Sequence, residues 1–542
     1  MRRRLLALGA CVAVVAACTL GAVAPDVRRV TLLSVSDWHA QLEPAMVLVN
    51  GVRRPVGGAA ALKVWLDRER AGNPRGTLVV MAGDSFGGTP PLSAYLEDVP
   101  AVEVQNALGV GVDTLGNHNF DHGLARLGKL VGLARFPYVS ANVVSPAGAS
   151  LVAPTHVVVL DGVRVGLIGI TNPEAPALVR PGATGDYQFL DPVSAATTHA
   201  ERLRRAGAQV VVVLAHLGAL GLAGDGTPIG PLGDFARAVR GVDVVIGDHT
   251  DVSVNARMGD TLVVENRSRG LEYAVVDVTY DVARRVALGK RAVQRQPLAD
   301  AVTPDPGVAA QLEGYRRQVQ PLFDRKVGEA AGVIARAGAV ESPLGSVIAD
   351  ALREAYGVDV AFVNSGAVRD DLPSSYRPAD SALRRPALGF RAGTPWDVVV
   401  GDLHAILPFG NVATTFRISG RTLWAALEHS VAAGTMASGR FVSADGRFLH
   451  ISGFRYRFAP GRPPGARVLE VALADGRPVA ADKRQYTAAT VDFLYDGGDA
   501  YTMLKNGTGV TRVPLTDTVA ERLAVRRPLA AAPAGRIDVA PD

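Results

Sequence analysis

The chain has 542 residues, 48% of them hydrophobic, so it is globular and too long for one core, and two large domains are expected. The formal charge is +5, but three of those charges are Arg2, Arg3 and Arg4 at the very start, and the nearly neutral remainder excludes a nucleic-acid polymer as the expected partner. Both cysteines, Cys11 and Cys18, fall within the first 24 residues, which leaves the rest of the chain without disulfide or thiolate chemistry.

Residues 1–24 combine that basic start with an unbroken apolar run, the pattern of a secretory signal. Val15-Ala16-Ala17-Cys18 resembles a bacterial lipobox, in which small residues precede a cysteine that is acylated and becomes the new N-terminus. Plain cleavage after Ala24 is less favoured, because Pro25 would follow the scissile bond. An uncleaved anchor is the third option, since the apolar run nearly reaches spanning length. The expectation is an exported protein of the periplasm or cell envelope, with a lipid anchor as its contact with the membrane.

From residue 27 to 302, strand-like runs alternate with helical ones. Strands are predicted at 29–35, 77–82, 110–115, 164–170, 209–215 and 242–246, with a helix over 58–70. Five of these strands stop at a short polar loop. The loops carry Asp37-Trp38-His39, Gly83-Asp84-Ser85, Gly116-Asn117-His118, His216-Leu217-Gly218 and Gly247-Asp248-His249-Thr250-Asp251. In open α/β sheets the strand ends gather along one edge, where ligands bind. Taken singly, each polar residue could be a cap, a turn residue or a core histidine, but five such loops in one domain are not a chance pattern.

The possible metal ligands are Asp37, His39, Asp84, Asn117, His216, His249 and Asp251. That set exceeds the needs of one ion and suits two divalent cations sharing a carboxylate. His118 and Asp121 are three residues apart, so a single tight turn lets the carboxylate reach the imidazole and fix its tautomer.

The breakers Thr303-Pro304-Asp305-Pro306 introduce a charged, helix-like stretch over 308–326 that reads as an interdomain helix. A second α/β unit follows, with a helix from Ser342-Pro343-Leu344-Gly345 to Tyr356 and a strand over 358–363. Its polar punctuation is Asn364 to Arg369, Leu407-Pro408-Phe409-Gly410-Asn411 and Phe493 to Asp499. The tail beyond Thr518 is rich in Ala, Pro and Arg and is expected to be peripheral or mobile.

DWH, GDSFGG, GNHNFDHG, SANV, AHLG and GDHTD, in this order and spacing, resemble the calcineurin-like metallophosphoesterases, and more closely the 5′-nucleotidase family. The resemblance implies an α/β chain in four parts after the signal segment 1–24. These are a layered αββα metallophosphoesterase domain at 27–302, a linking helix at 303–327, an α/β substrate-binding domain at 328–515 and a tail at 516–542. It implies that Asp37, His39, Asp84 and Asp251 hold one metal. Asp84 would bridge to a second held by Asn117, His216 and His249, with His118 and Asp121 as the catalytic pair beside them. In the second domain it implies that Phe409 and Phe493 sandwich a base. Asn364 and Asn411 would lie near that base, Asp499 near the ribose, and Arg369 at the phosphate.

Two departures stand out. Asp251 and Asp248 replace a softer residue and a glycine in the last metal motif, which would favour manganese or magnesium over zinc. No arginine lies in the few residues ahead of Leu344-Gly345, and Arg336 is the nearest. The expected protein is an exported hydrolase of phosphate esters, foremost a 5′-nucleotidase acting on nucleoside monophosphates with two divalent ions (Mn, Zn or Mg). A 2′,3′-cyclic-nucleotide phosphodiesterase or UDP-sugar diphosphatase is the enzymatic alternative, and a nucleotide-binding lipoprotein without turnover the non-enzymatic one.

Overall fold

The computed structural model describes residues 26–336, 340–437, 440–443 and 446–540, so the expected signal segment at 1–24 lies outside the described residues. Alternation along the strands sets the layers. In Val27–Ser34, Val30 and Leu32 point to one face and Leu33 to the other. Val30 and Leu32 join Val80, Val112, Leu167 and Val212 in a core between two six-stranded sheets. Leu33 and Val79 pack outward on the helices Ala59–Ala71 and Val99–Leu108. On the far side, Val211, Val213 and Val245 pack on Pro192–Arg205 and Pro231–Ala238. The result is the expected αββα sandwich.

The first sheet places Val27–Ser34, Thr77–Val80, Val110–Thr114 and Tyr138–Val139 side by side and parallel. The second does the same with Val163–Ile170, Val210–Ala215, Val244–Ile246 and Thr261–Glu265. The central strands Val210–Ala215 and Val244–Ile246 are continuous apolar runs, as burial on both faces requires.

The linking helix is Pro306–Phe323. The Asp305 carboxylate caps it by accepting from the Val308 amide at 2.9 Å, and Pro306 occupies the first helical position. Val308, Leu312, Val319 and Phe323 are buried in one cluster with Leu62 and Leu66 of the first domain and Tyr376, Val399 and Val400 of the second. The helix is therefore a packed joint with apolar contacts to both sides.

The second unit is a five-stranded sheet ordered Leu449–Ser452, Val360–Asn364, Gln485–Val491, Val412–Ser419, Val510–Pro514. The helix Pro343–Tyr356 starts where the Ser342 hydroxyl accepts from the Gly345 amide at 2.8 Å. Glycine is required at 345 because a Cβ there would stand 2.2 Å from the His450 ring. Opposite strand senses bring the end of Val360–Asn364, the end of Gln485–Val491 and the start of Val412–Ser419 to one edge.

The peripheral reading of the tail is corrected. Leu515–Val525 is a helix that buries Leu515, Val519 and Leu523, and Ile537–Val539 adds a parallel strand to Phe454–Phe458. The three apolar residues recur every four positions and make one helical face, which outweighs the Ala/Pro composition of the segment. The second unit thus extends well past the expected boundary at residue 515. Phe493 likewise sits on a short helix, Asp492–Tyr495, beyond its strand.

Candidate active site

Strand ends of both sheets deliver Asp37, His39, Asp84, Asn117, His216 and His249 to one buried cluster. His39 Nε2 is 3.1 Å from Asp37 Oδ1, His216 Nε2 is 3.0 Å from Asp84 Oδ2, and His216 Nε2 is also 3.1 Å from both Asn117 Oδ1 and His249 Nδ1. Two sets of donor atoms, His39/Asp84/His118 and Asp84/His216/His249, each lie within 4.8 Å of one another and have Asp84 in common.

The imidazoles are oriented from behind. His39 Nδ1 lies 2.7 Å from the Gly87 carbonyl and His216 Nδ1 3.0 Å from the Ala82 carbonyl, so each donates there and turns the Nε2 lone pair inward. Asn172 Nδ2 lies 3.3 Å from His249 Nε2, and His249 Nδ1 faces the cluster. A shared carboxylate, an amide oxygen and the inward lone pairs of His39 and His216 fit divalent cations, with His249 Nδ1 beside them.

The backbone is strained where these residues sit. Asp37, His39, Asp84 and His249 have φ of 51°, 47°, 45° and 90°, left-handed values that non-glycine residues seldom adopt and that concentrate at functional sites. Asn119 holds two of the loops, accepting from the Gly116 amide at 2.6 Å and the Asp84 amide at 3.3 Å. Asp248 holds another, its Oδ2 accepting from the Asp37 amide at 2.8 Å. Gly116 is needed for space and not for a left-handed turn, since a Cβ there would lie 2.2 Å from Asp84 Oδ1.

Charges in the cluster are mutually adjusted. Burial pulls the Asp84 carboxyl up, but His216, His118 and His39 outweigh it and hold it below the usual carboxylate range. Burial and the adjacent His216 push His249 down to about 4. Burial pulls His118 down, but Asp121 and Asp84 outweigh it and raise it. His118 Nδ1 lies 3.0 and 3.1 Å from the Asp121 carboxylate oxygens across a single 3₁₀ turn, so the pair meets as its spacing predicts.

Asp251 is the exception. Its carboxylate is half exposed and accepts from Arg267 at 2.9 Å and from the Ser268 amide and hydroxyl at 3.1 Å, so it is turned away from the cluster. A nearby guanidinium and a loop amide offer it a satisfied surface position. The argument for a harder metal that rested on it falls away.

One cavity of about 1420 Å³ is lined by every predicted site residue except His216, which lies fully buried beneath it. From the second domain, the Asn364 side-chain amide donates to Asp499 at 2.8 Å, while Asn364 Oδ1 is buried without a partner. The Phe409 ring stacks on His118, with centroids 5.6 Å apart and planes 16° apart. Phe493 lies flat against Gly498, where a Cβ would meet its ring at 2.3 Å. Asn411 lines the wall near Phe409.

Three arginines face this cavity. Arg369 Nη2 donates to His39 Nε2 at 3.1 Å, Arg269 donates to the Arg369 carbonyl, and Arg336 stands close to both. None of the three has a carboxylate within ion-pair distance among the described residues, and burial with its two neighbours pushes Arg336 down to about 9. Such a cluster is an anion site in search of its counter-charge. The sequence reading missed Arg269, which no motif marks. It also missed Asn119, Asn172 and Asp248 as supports, although Asn119 and Asp248 stand inside quoted motifs.

Comparison with known proteins agrees with this arrangement. The family model described as 5′-nucleotidase, C-terminal domain, matches residues 326–506. The chain is 28% identical to a cell wall protein of Listeria monocytogenes, over 94% of this chain and 70% of that protein. It is 27% identical to the snake venom 5′-nucleotidase of Naja atra, over 88% of this chain and 92% of the relative. The crystal structure of a 5′-nucleotidase precursor from Thermus thermophilus superposes with a TM-score of 0.80 at 28% identity, covering 94% of this chain and 99% of that one.

Proposed function

From a chain that belongs to the 5′-nucleotidase family, with a metallophosphoesterase domain first, and is a metal-dependent phosphoric ester hydrolase, we propose a 5′-nucleotidase that releases phosphate from nucleoside monophosphates. The observation that carries this reading is the single cavity shared by the histidine–carboxylate cluster and the two phenylalanines.

In this reading, Asp37, His39, Asp84, Asn117, His216 and His249 would hold two divalent cations, Asp84 lying within reach of both donor sets. Ions in such a site supply Lewis-acid polarisation of the phosphate and acidification of the attacking water. Mixed imidazole and oxygen donors suit manganese or zinc. Arg369, Arg336 and Arg269 bind the outer phosphate oxygens and offset their charge as the transition state forms. Asp121 accepts from His118 Nδ1, and His118 Nε2 hands a proton to the departing ribose oxygen. Phe409 and Phe493 grip the base by stacking, which accepts any base. Asn364 Oδ1 is a free acceptor for a base or ribose donor, and Asn411 and Asp499 add polar contacts beside it.

The reading includes export to the cell envelope, motivated by the apolar, lipobox-bearing residues 1–24 and by the cell wall relative. Membrane fractionation of Cys18→Ser checks the anchor: release into the soluble fraction is expected, whereas a wild type and variant both soluble would mean plain export and both membrane-bound an uncleaved anchor.

Turnover of a panel of esters tests the substrate. AMP, glycerol phosphate, 2′,3′-cyclic AMP and UDP-glucose would each be assayed with manganese, zinc and magnesium. The highest kcat/KM is expected for AMP. A cyclic nucleotide or UDP-sugar ahead of AMP would replace the nucleotidase assignment by the matching diesterase or diphosphatase.

A further inference from the structure

Both sheets point their C-terminal strand ends at the catalytic cluster, so the N-terminal strand ends form the opposite edge of the first domain. A groove of about 1030 Å³ opens there, lined by Arg204, Arg237, Arg240, Arg257, Arg285 and Lys290 against only Asp243 and Asp260. Asp243 is already taken by Arg204 at 2.5 Å and Lys290 at 3.2 Å, and Arg237 is paired with Asp234 at 2.8 Å. Arg240, Arg257 and Arg285 have no carboxylate within ion-pair distance among the described residues. The groove therefore carries surplus positive charge.

Two further features share this edge. Val286 and Leu288, which line the groove, are 45% and 51% exposed, and Val27 is 48% exposed. Val27 pairs with Asp281, which in turn pairs with Val286. The chain therefore enters the fold at this rim, directly after the apolar leader read from the sequence. We infer that this edge rests on an anionic phospholipid bilayer, cations on the headgroups and the valine–leucine rim in the interface, with the catalytic cavity facing away from the membrane. Exposed aliphatic side chains beside unpaired cations suit a bilayer surface better than a soluble polyanion, which offers nothing to bury them in. This orientation rests on the proposed envelope location, which fractionation tests separately.

Sedimentation of the full chain with vesicles of phosphatidylcholine alone, and of phosphatidylcholine mixed with phosphatidylglycerol, tests the inference. The N-terminal segment is common to all the proteins compared, so the difference between the two vesicles reports the groove. Wild type should bind the anionic vesicles at least tenfold more tightly at low salt. The triple variant Arg240→Glu, Arg257→Glu, Arg285→Glu should lose that preference, since each basic residue at such a surface is worth roughly fivefold in binding. AMP hydrolysis by the triple variant should be unchanged, which verifies its fold. A second variant, Val286→Ser with Leu288→Ser, keeps every charge and should also bind anionic vesicles more weakly. No preference in the wild type, or preference retained in the triple variant, overturns the inference. Full binding by the serine variant, or tighter binding of soluble polyphosphate than of vesicles, overturns it in favour of a polyanion site.

Discussion

The Phe409 ring lies nearly parallel to the His118 imidazole at 5.6 Å, so a side chain of the second domain rests on the His118–Asp121 pair of the first. Under the proposed function this contact would join base grip and leaving-group chemistry. Arg369 reinforces the junction, its guanidinium 5.8 Å from the Phe409 ring and 3.1 Å from His39.

The two phenylalanines should consequently behave differently. Stacking is typically worth roughly 1–3 kcal/mol per base, or about fivefold to 150-fold in affinity. Phe493→Ala should raise KM for AMP by that amount and leave glycerol phosphate hydrolysis unchanged. Phe409→Ala should raise KM for AMP and also lower kcat for both substrates, because His118 loses its support. Equal damage to both substrates in a folded Phe493→Ala would make that ring a core residue.

Asp84 lies within reach of both donor sets. Asp84→Ala should abolish turnover and release both ions together, measured by metal analysis of the purified variant. Retention of one full equivalent would mean that the two sites do not share this carboxylate.

His118→Asn should lower kcat by about 10²–10⁴-fold, the usual contribution of a positioned proton donor, with metal content unchanged. Asp121→Asn should cost less than His118→Asn, since the imidazole remains. Loss of metal from His118→Asn would make the residue a ligand, a role its place beside His39 and Asp84 would permit.

Because Asp251 is tied to Arg267 and Ser268, Asp251→Ala should keep both ions and most of the activity. Loss of one ion would show that its carboxylate swings inward when metal binds.

In the second domain, Arg385 and Asp402 form a fully buried two-point ion pair, with Nη1 to Oδ2 at 2.5 Å and Nη2 to Oδ1 at 2.7 Å. Asp402 also accepts from the Val399 amide and from Ser374. Asp402→Asn leaves a buried guanidinium uncompensated and should destabilise this domain by about 3–5 kcal/mol. Thermal unfolding with and without a bound nucleotide would report it, as a lowered first transition.

Much of this arrangement was legible before any coordinates. Apolar strands alternating with helical runs announced an α/β sheet, and their polar ends named the cluster. The less legible parts depend on distant partners. Asp251 looked like a ligand because the motif put it there, and only the approach of Arg267 and Ser268 from the next strand end turns it outward. Arg269 carries no local signal, and its role comes from meeting Arg369, 100 residues away in sequence. The tail was misread because composition was weighed above the four-residue spacing of Leu515, Val519 and Leu523.

The strand Ile537–Val539 pairs with Phe454–Phe458, and Leu529 bridges to Ala330 at the opening of the second unit. A late stretch of the chain is thus stitched into earlier parts of that unit. During synthesis the first domain can close while the second still lacks a strand, and the small sheet of Val468–Leu473, Phe454–Phe458 and Ile537–Val539 is complete only after residue 539 has emerged. A chain released early, or trimmed by a protease behind Val525, would keep every predicted ligand and aromatic while losing the seam beneath them.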